Sequence, residues 1–156
     1  MKKEKFVYNK LMKNKYLFWL TGLSGSGKTS IVKLIHKSIE RKYGPTIEIS
    51  GDELRSIFLF KNYDNKSRRI YAKSYSKFCK MLLEKNFNVL FSTVSLFHDV
   101  QKWNKKKIYN KRKNLVGLNL SAEFPKTPNF LVENKFDNNI KNLSEKIKEN
   151  IFKNCK

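Results

Sequence analysis

The chain has 156 residues, 40% of them apolar and 13% aromatic, which is enough to bury the core of one domain and excludes global disorder. We expect that domain to span residues 16–156, behind a basic lead-in at residues 1–15. No apolar run approaches the roughly 20 residues that a membrane span needs, and no signal-peptide pattern is found. We therefore expect a cytoplasmic protein that has no membrane partner.

The charge is strongly positive, because 34 Lys+Arg residues against 13 Asp+Glu residues give a formal net charge of +21. Such a charge is typical of proteins that bind nucleic acid, acidic lipid or small phosphorylated molecules. The basic residues are mostly lysines, however, 29 against 5 arginines, and they are spread over the whole chain. We therefore do not expect a nucleic-acid partner from charge alone. Cys79 and Cys155 lack metal or redox spacing, which fits a reducing compartment.

The apolar pattern predicts strands that alternate with helices. A continuous apolar run that ends at a glycine is typical of a buried strand, and helical spacing of apolar residues indicates amphipathic helices. The second helix has Asp64 or Asn65 as its cap. The predicted strands are residues 16–21, 46–49, 87–94 and 130–132, and the helical stripes are Ile31-Val32-Ile35-Ile39, Tyr71-Tyr75-Phe78-Leu82 and Ile140-Leu143-Ile147-Ile151. This alternation favours a parallel sheet covered by helices on both faces.

A glycine-rich loop carries the clearest motif, because residues 22–29 read Gly, four residues, then Gly-Lys-Thr between a predicted strand and a predicted helix. The glycines let successive backbone N–H groups point at phosphate oxygens, and the helix that follows adds its positive end. Lys28 is expected to reach the β- and γ-phosphates of ATP, and the Thr29 hydroxyl to hold Mg²⁺. The predicted ATP-binding residues of the loop are Gly22, Ser24, Gly25, Ser26, Gly27, Lys28 and Thr29. The predicted fold is a three-layer α/β P-loop NTPase fold.

The reaction class follows from what the rest of the chain lacks. A chain of 156 residues leaves no room for the second lobe of a nucleic-acid motor. The Asn-Lys-x-Asp pattern by which GTPases read guanine occurs once, at residues 134–137, and a four-residue pattern of this kind is a weak signal on its own. A small kinase is therefore the favoured class.

Several motifs of the chain resemble those of one enzyme family. Residues 18–29, Phe-Trp-Leu-Thr-Gly-Leu-Ser-Gly-Ser-Gly-Lys-Thr, resemble the opening of adenylyl-sulfate kinases, and residues 51–55, Gly-Asp-Glu-Leu-Arg, are similar to the Gly-Asp-x-x-Arg motif of these enzymes. Further matches are residues 63–68, 92–95, 114–117 and 125–129. The resemblance implies transfer of the γ-phosphate of ATP to the 3′-hydroxyl of a nucleotide. It places Tyr63, Arg68, Ser92 and Ser95 at the acceptor nucleotide, and Pro125 and Thr127 on the adenine side of ATP.

The positions and side-chain chemistry of Asp52 and Arg55 also suit phosphoryl transfer, independently of the family resemblance. Asp52 follows a predicted strand at the edge where parallel sheets place ligands. Its carboxylate is suited to accept a hydroxyl proton, to order Mg²⁺, or both, so that Asp52 and Lys28 are the catalytic candidates. Arg55 follows three residues later and is suited to clamp an anionic group of the acceptor. The alternatives are a helix N-cap for Asp52 and a solvated surface charge for Arg55.

The chain also departs from the family, and the acceptor therefore stays open. Tyr71 stands where the family usually carries Asn, and the pattern around residues 63–69 and Phe97 resembles relatives that act on cytidine diphosphate derivatives such as a phosphoramidate. Residues 98–113 are shorter than the family's segment, so the chain is expected to lack one core strand and part of a basic lid. Residues 115–120 are a candidate to fill that place in the sheet, and residues 105–113 are either a remaining lid or a solvated loop. His98 is expected to be a loop residue and not a catalyst.

Three functions consequently remain under consideration. The first is a nucleotide kinase, the second a nucleotide-binding remnant without catalysis, and the third a basic nucleic-acid-binding protein switched by ATP. A homodimer is an open possibility for the assembly.

Overall fold

The computed structural model describes residues 15–95, 97–108, 115–119, 130–131 and 139–154. Its strands are β1 (Leu17–Thr21), β2 (Thr46–Ser50), β3 (Asn88–Thr93), β4 (Leu115–Asn119) and β5 (Phe130–Leu131). Its helices are α1 (Lys28–Tyr43), α2 (Gly51–Ile57), α3 (Asn65–Glu84), α4 (His98–Lys107) and α5 (Ile140–Asn154). The predicted strands and helices are confirmed where the structure describes them, with shifts of one or two residues at their ends.

The five strands form one sheet in the order β2-β3-β1-β4-β5, and every neighbouring pair is parallel. β1 lies at the centre and is buried throughout, which explains its unbroken apolar sequence. Polar residues close the strands at their carboxyl ends, where Thr21 pairs with Thr93 and Ser50 pairs with Ser92. The sheet thus presents a polar edge at the place where open parallel sheets bind ligands.

Helices cover both faces of the sheet. One core contains Phe18 and Leu20 of β1 packed with Ile31 and Ile35 of α1 and Ile147 of α5. The other core contains Leu17 and Trp19 of β1 with residues from α2 and α3. Alternate residues of β1 therefore point to opposite cores, and the predicted three-layer α/β architecture is confirmed.

Residues 115–119 lie beside β1, in the place for which the sequence predicts a missing strand because residues 98–113 are short. β4 pairs with β1 from Leu17 opposite Leu115 to Thr21 opposite Asn119, and β5 continues the sheet on its other side. The backbone groups of β1 thus have partners on both sides. That the chain has one core strand fewer than its relatives stays a prediction.

The segment after β3 differs from the expectation, because His98 is the first residue of a ten-residue helix and not part of a loop. Val100, Asn104 and Ile108 are buried along one side of α4 and its end, at helical spacing. Asp99 binds Arg69 and Lys73 of α3 (3.0 and 3.3 Å). Packing and these ion pairs therefore hold α4 on α3. The predicted lid begins within α4, and residues 109–114 lie outside the described residues.

Two remaining sequence predictions concern a helix cap and membrane insertion. Asp64 caps α3, since its carboxylate accepts a hydrogen bond from the backbone N–H of Ser67 (2.9 Å). Within the ranges that the structure covers, no helix combines the length and the apolar character that crossing a bilayer requires.

Candidate functional site

The phosphate loop connects β1 to α1 and takes its shape from its own backbone. Gly25 and Gly27 have φ angles of +77° and +84°, a region that side chains with a Cβ disfavour. The Ser26 N–H and the Ser26 hydroxyl both donate to the carbonyl of Leu23 (3.3 and 2.8 Å). A tight turn therefore leads into the first residues of α1, where unpaired N–H groups accumulate.

Lys28 is buried inside this loop, with 7% of its surface exposed. Its Nζ donates to the Leu23 carbonyl and to the Ser26 hydroxyl. Burial lowers the pKa of Lys28, and the negative charge of Asp52 opposes that change. The ammonium group thus lies in the loop within electrostatic reach of the carboxylate on the neighbouring helix.

A cavity of about 270 Å³ opens in front of the loop. Loop residues Ser24, Gly25, Gly27, Lys28 and Thr29 line it, together with Ser50, Asp52 and Ser92 from the ends of neighbouring strands and α2. Hydroxyl and carboxylate oxygens such as those of Thr29 and Asp52 are the ligand type that Mg²⁺ prefers. No group of three or more His, Cys, Asp or Glu side chains arranged for a metal is found among the described residues. These donors therefore fit a Mg²⁺ ion that shares its coordination with a nucleotide and water.

Asp52 lies exposed in the first turn of α2, but it is not the cap of that helix. Ser50 is the N-cap: its hydroxyl accepts a hydrogen bond from the Glu53 N–H (3.1 Å), and the Glu53 carboxylate accepts one from the Ser50 N–H (2.6 Å). The alternative reading of Asp52 as a helix N-cap is therefore wrong, because this capping box already satisfies the end of the helix. The Asp52 carboxylate faces the cavity without that structural task.

The glycine before Asp52 allows α2 to approach β3 closely. A Cβ atom at Gly51 would lie 2.6 Å from the Thr93 hydroxyl oxygen and 3.2 Å from the Thr93 Cβ. Any side chain at this position would push the start of α2 away from the end of β3. Gly51 thus fixes where Asp52 sits relative to the phosphate loop.

A second cavity, of about 180 Å³, lies on the other side of Asp52. Four residues line both cavities: Ser24, Asp52, Thr93 and Val94. The second cavity is further lined by Arg55 of α2, by Tyr63, and by Arg68, Tyr71 and Tyr75 of α3. The structure therefore brings the sequence-predicted Asp52, Arg55, Tyr63 and Arg68 together around one space.

Arg55 is held between aromatic rings in this second cavity. Its guanidinium carbon lies 4.3 Å from the ring centre of Tyr63 and 5.9 Å from that of Tyr71. The Nε and Nη1 atoms of Arg55 are buried and have no hydrogen-bond partner in the described part of the chain. A guanidinium stacked in this way with free donors is suited to bind an anion. The alternative of a solvated surface charge does not fit this burial.

The two serines of residues 92–95 occupy different places. Ser92 lines the first cavity at the end of β3. Ser95 is buried, and its backbone N–H and carbonyl both bond to the Thr21 hydroxyl (3.2 and 2.8 Å). Ser95 does not line either of the two cavities described here, so it stays a prediction as an acceptor contact. Pro125 and Thr127 lie outside the described residues.

Sequence reasoning did not select Tyr75 and Thr93, which also line the second cavity. In the sequence, Tyr75 is part of an apolar stripe and Thr93 is part of a predicted strand. Arg68 lies three residues before Tyr71 and seven before Tyr75, and this helical spacing is the available sign that both tyrosines lie near the arginine.

Residues 14–128 match the family model of adenylylsulphate kinase. The cytidine diphosphoramidate kinase of Campylobacter jejuni is 38% identical over 97 residues, which are 62% of this chain and 57% of that protein. The adenylyl-sulfate kinase of Pseudomonas aeruginosa is 32% identical over 83 residues, 52% of this chain and 42% of that protein. The chain thus spans about half of the length of the curated relatives it matches.

Solved structures have the same fold. The APS kinase CysC of Mycobacterium tuberculosis, in complex with AMPPNP and APS, superposes with a TM-score of 0.74 at 16% identity, over 89% of this chain and 98% of that one. The hexameric APS kinase of Thiobacillus denitrificans gives a TM-score of 0.76 at 13% identity, over 92% of this chain and 30% of that one. The fold, the phosphate loop and the matched residues together lead to one conclusion: the chain belongs to the adenylylsulphate kinase family.

Proposed function

We propose that this protein is a kinase that transfers the γ-phosphoryl group of Mg·ATP to a hydroxyl of a nucleotide acceptor. The observation that carries the proposal is the pair of adjoining cavities that share Asp52. One cavity contains the phosphate loop, and the other contains the stacked Arg55 beside Arg68 and two tyrosines. A donor and an acceptor bound in these cavities meet at the Asp52 carboxylate.

In the proposed reaction, Lys28 and the loop N–H groups hold the β- and γ-phosphates. The acceptor oxygen forms a bond to the γ-phosphorus while the bond to the β–γ bridging oxygen breaks, and ADP leaves. Asp52 takes the proton of the acceptor hydroxyl. Mg²⁺, held by Thr29 and Asp52 when bound, would neutralise charge on the transferring group. The protein's main contribution is positioning and positive charge, since this transfer needs little covalent chemistry from the enzyme.

The acceptor is a nucleotide that carries an anionic group for Arg55 and Arg68. Adenylyl sulfate is one candidate, with the phosphoryl group going to its 3′-hydroxyl. A cytidine diphosphate derivative such as a phosphoramidate is the second, and two observations favour it. The kinase of this kind in Campylobacter jejuni matches a longer stretch of the chain, at higher identity, than the adenylyl-sulfate kinase of Pseudomonas aeruginosa does. Tyr71, which stands where the family usually carries Asn, contributes a ring to the second cavity, which we call the acceptor cavity.

The proposed setting is the cytoplasm, which supplies ATP and keeps thiols reduced. Cys79, the free cysteine found in the described ranges, is buried and inert, because burial raises the pKa of its thiol. A homodimer stays a proposal that sedimentation of the purified protein tests.

The test is a transfer assay with γ-labelled ATP over adenylyl sulfate, cytidine diphosphate derivatives and simple nucleoside monophosphates. We expect label on one of the first two acceptors and only on a hydroxyl oxygen. ATP binding without transfer to any nucleotide would contradict the proposal and favour a nucleotide-binding remnant. Tight, steeply salt-dependent binding of RNA or DNA would favour a nucleic-acid-binding protein instead.

A further inference from the structure

The acceptor cavity contains a buried tyrosine that is rigidly placed. Tyr75 lies on α3, and 4% of its surface is exposed. Its ring packs against Phe91 of β3 with ring centres 5.7 Å apart, and against Phe60 at 6.1 Å. Because rings from two other segments contact it, the Tyr75 ring is held in one position beside the cavity that the residue lines.

The Tyr75 hydroxyl has no hydrogen-bond partner among the described residues, and the same is true of Arg55 Nε and Nη1. Both residues line the acceptor cavity. Buried polar groups of folded proteins are nearly always hydrogen-bonded, because an unpaired one keeps its full desolvation cost. Two neighbouring side chains with unpaired donors at one cavity therefore indicate a ligand that pairs with them.

The protonation state of Tyr75 makes it a donor. Burial raises the pKa of its phenol; the Arg55 charge lowers that pKa, and the Asp52 charge raises it further. The group is therefore a neutral O–H at physiological pH. An O–H beside a guanidinium is suited to an oxygen that carries negative charge, which accepts from both.

We propose that the Tyr75 hydroxyl and Arg55 together bind one anionic oxygen group of the acceptor, a phosphate, phosphoramidate or sulfate, and that Tyr75 thereby contributes to acceptor selection. This inference rests on the proposed function, because it deepens the assignment of the second cavity. It adds a residue to the acceptor site that neither the phosphate loop nor the Gly-Asp-x-x-Arg motif contains. Tyr75 binds the acceptor and takes no part in moving the proton.

The test removes only the hydroxyl, in the variant Tyr75→Phe, and measures equilibrium binding instead of turnover. Cytidine 5′-diphosphate and adenylyl sulfate are titrated by calorimetry into the protein saturated with AMPPNP and Mg²⁺. We expect an affinity loss of about ten-fold for at least one of the two nucleotides, since a charge-assisted hydrogen bond is lost. Affinity for AMPPNP itself should stay within about two-fold of the wild-type value, and the melting temperature should be equal or higher.

Tyr43→Phe is the matched control. Tyr43 is also a buried tyrosine, but its hydroxyl donates to the Ile151 carbonyl (3.4 Å) in the core on the other face of the sheet. This variant should bind both nucleotides as the wild type does. Unchanged affinity of Tyr75→Phe for both nucleotides would overturn the proposal, and so would a wild-type protein that binds neither. Binding with the expected ten-fold loss but no phosphoryl transfer by the wild type would support Tyr75 and contradict only the kinase function.

Discussion

The phosphate loop holds its shape through its own backbone, whereas the acceptor cavity is assembled from elements far apart in the sequence. The loop depends on two glycines with positive φ and on hydrogen bonds within residues 23–28. The acceptor cavity needs α2, the loop with Tyr63, α3 and the end of β3 to meet. The phosphate loop is therefore a local structure, and the second cavity depends on long-range contacts and has unpaired side-chain atoms of Arg55 and Tyr75 among its lining residues.

This difference has a functional consequence. A loop that binds phosphates through its own main-chain N–H groups reads little of the rest of a nucleotide. The acceptor cavity presents aromatic and arginine side chains, so substitutions there alter the ligand without altering the fold. We infer that acceptor choice by this protein depends on the residues that line the second cavity. Substitutions in the loop and in that cavity should therefore differ in their effects.

The largest expected effect is on the donor side. Lys28→Ala should reduce phosphoryl transfer at least about a thousand-fold, because no other cation is buried in the loop to hold the γ-phosphate. The measurement is initial velocity with labelled ATP, together with ATP affinity. Lys33→Ala is the control, since Lys33 is exposed on the same helix. Activity of Lys28→Ala within ten-fold of the wild type would mean that the loop does not work as proposed.

Asp52→Asn tests the carboxylate among the four residues that line both cavities. We expect kcat to fall at least about a hundred-fold, because an amide cannot take the acceptor proton. Binding of ATP and of the acceptor should be largely retained, which stopped-flow or calorimetric titration would measure. Asp64→Asn is a suitable control, because Asn also caps helices well and Asp64 lies outside both cavities. Full activity of Asp52→Asn would remove Asp52 from the mechanism.

The same contrast explains how far the sequence predicts the site. The shape of residues 22–29 could be predicted, since a local motif sets its own geometry, with positive φ at Gly25 and Gly27. Asp52 and Arg55 were found by their position after a strand, but the N-cap at Ser50 depends on a reciprocal pair of hydrogen bonds with Glu53 that composition does not reveal.

Tyr75 was missed because the spacing of an apolar stripe does not show whether a hydroxyl at the edge of the stripe faces a core or a cavity. Helix α4 was missed because its buried side consists of Val100, Asn104 and Ile108, a pattern with one polar member.

Two glycine substitutions should distinguish the regions by mechanism. Gly51→Ala places a Cβ 2.6 Å from the Thr93 hydroxyl, so we expect a stability loss of about 1–3 kcal/mol and a melting temperature lower by roughly 5 °C. Its KM should rise more for the acceptor than for ATP, because α2 shifts. Gly25→Ala meets no atom within 4 Å but must adopt a φ near +77°, which costs about 1–2 kcal/mol.

For Gly25→Ala the effect on KM should be reversed, with ATP affected more than the acceptor. Steady-state kinetics with each substrate varied in turn, and thermal melts of both variants, make the comparison. Equal changes of both KM values in both variants would contradict the separation of a local donor site from an assembled acceptor site.

The smallest expected effect concerns the contact that holds α4 on α3. Asp99→Asn removes the ion pairs to Arg69 and Lys73, whose side chains are about half exposed. We therefore expect the free energy of unfolding to fall by only about 0.5–1 kcal/mol.

Partial burial raises the pKa of Asp99, but the Lys73 hydrogen bond and the Arg69 charge outweigh it and hold the pKa below its ordinary value. The carboxylate therefore stabilises the fold at neutral pH, and the difference in melting temperature between wild type and variant should vanish as the pH falls through that lowered pKa. Glu84→Gln, which breaks a pair with Lys80 inside α3, is the control and should change the melting temperature less. If the difference in melting temperature between the wild type and Asp99→Asn persisted unchanged at acid pH, packing and not charge would hold α4 on α3.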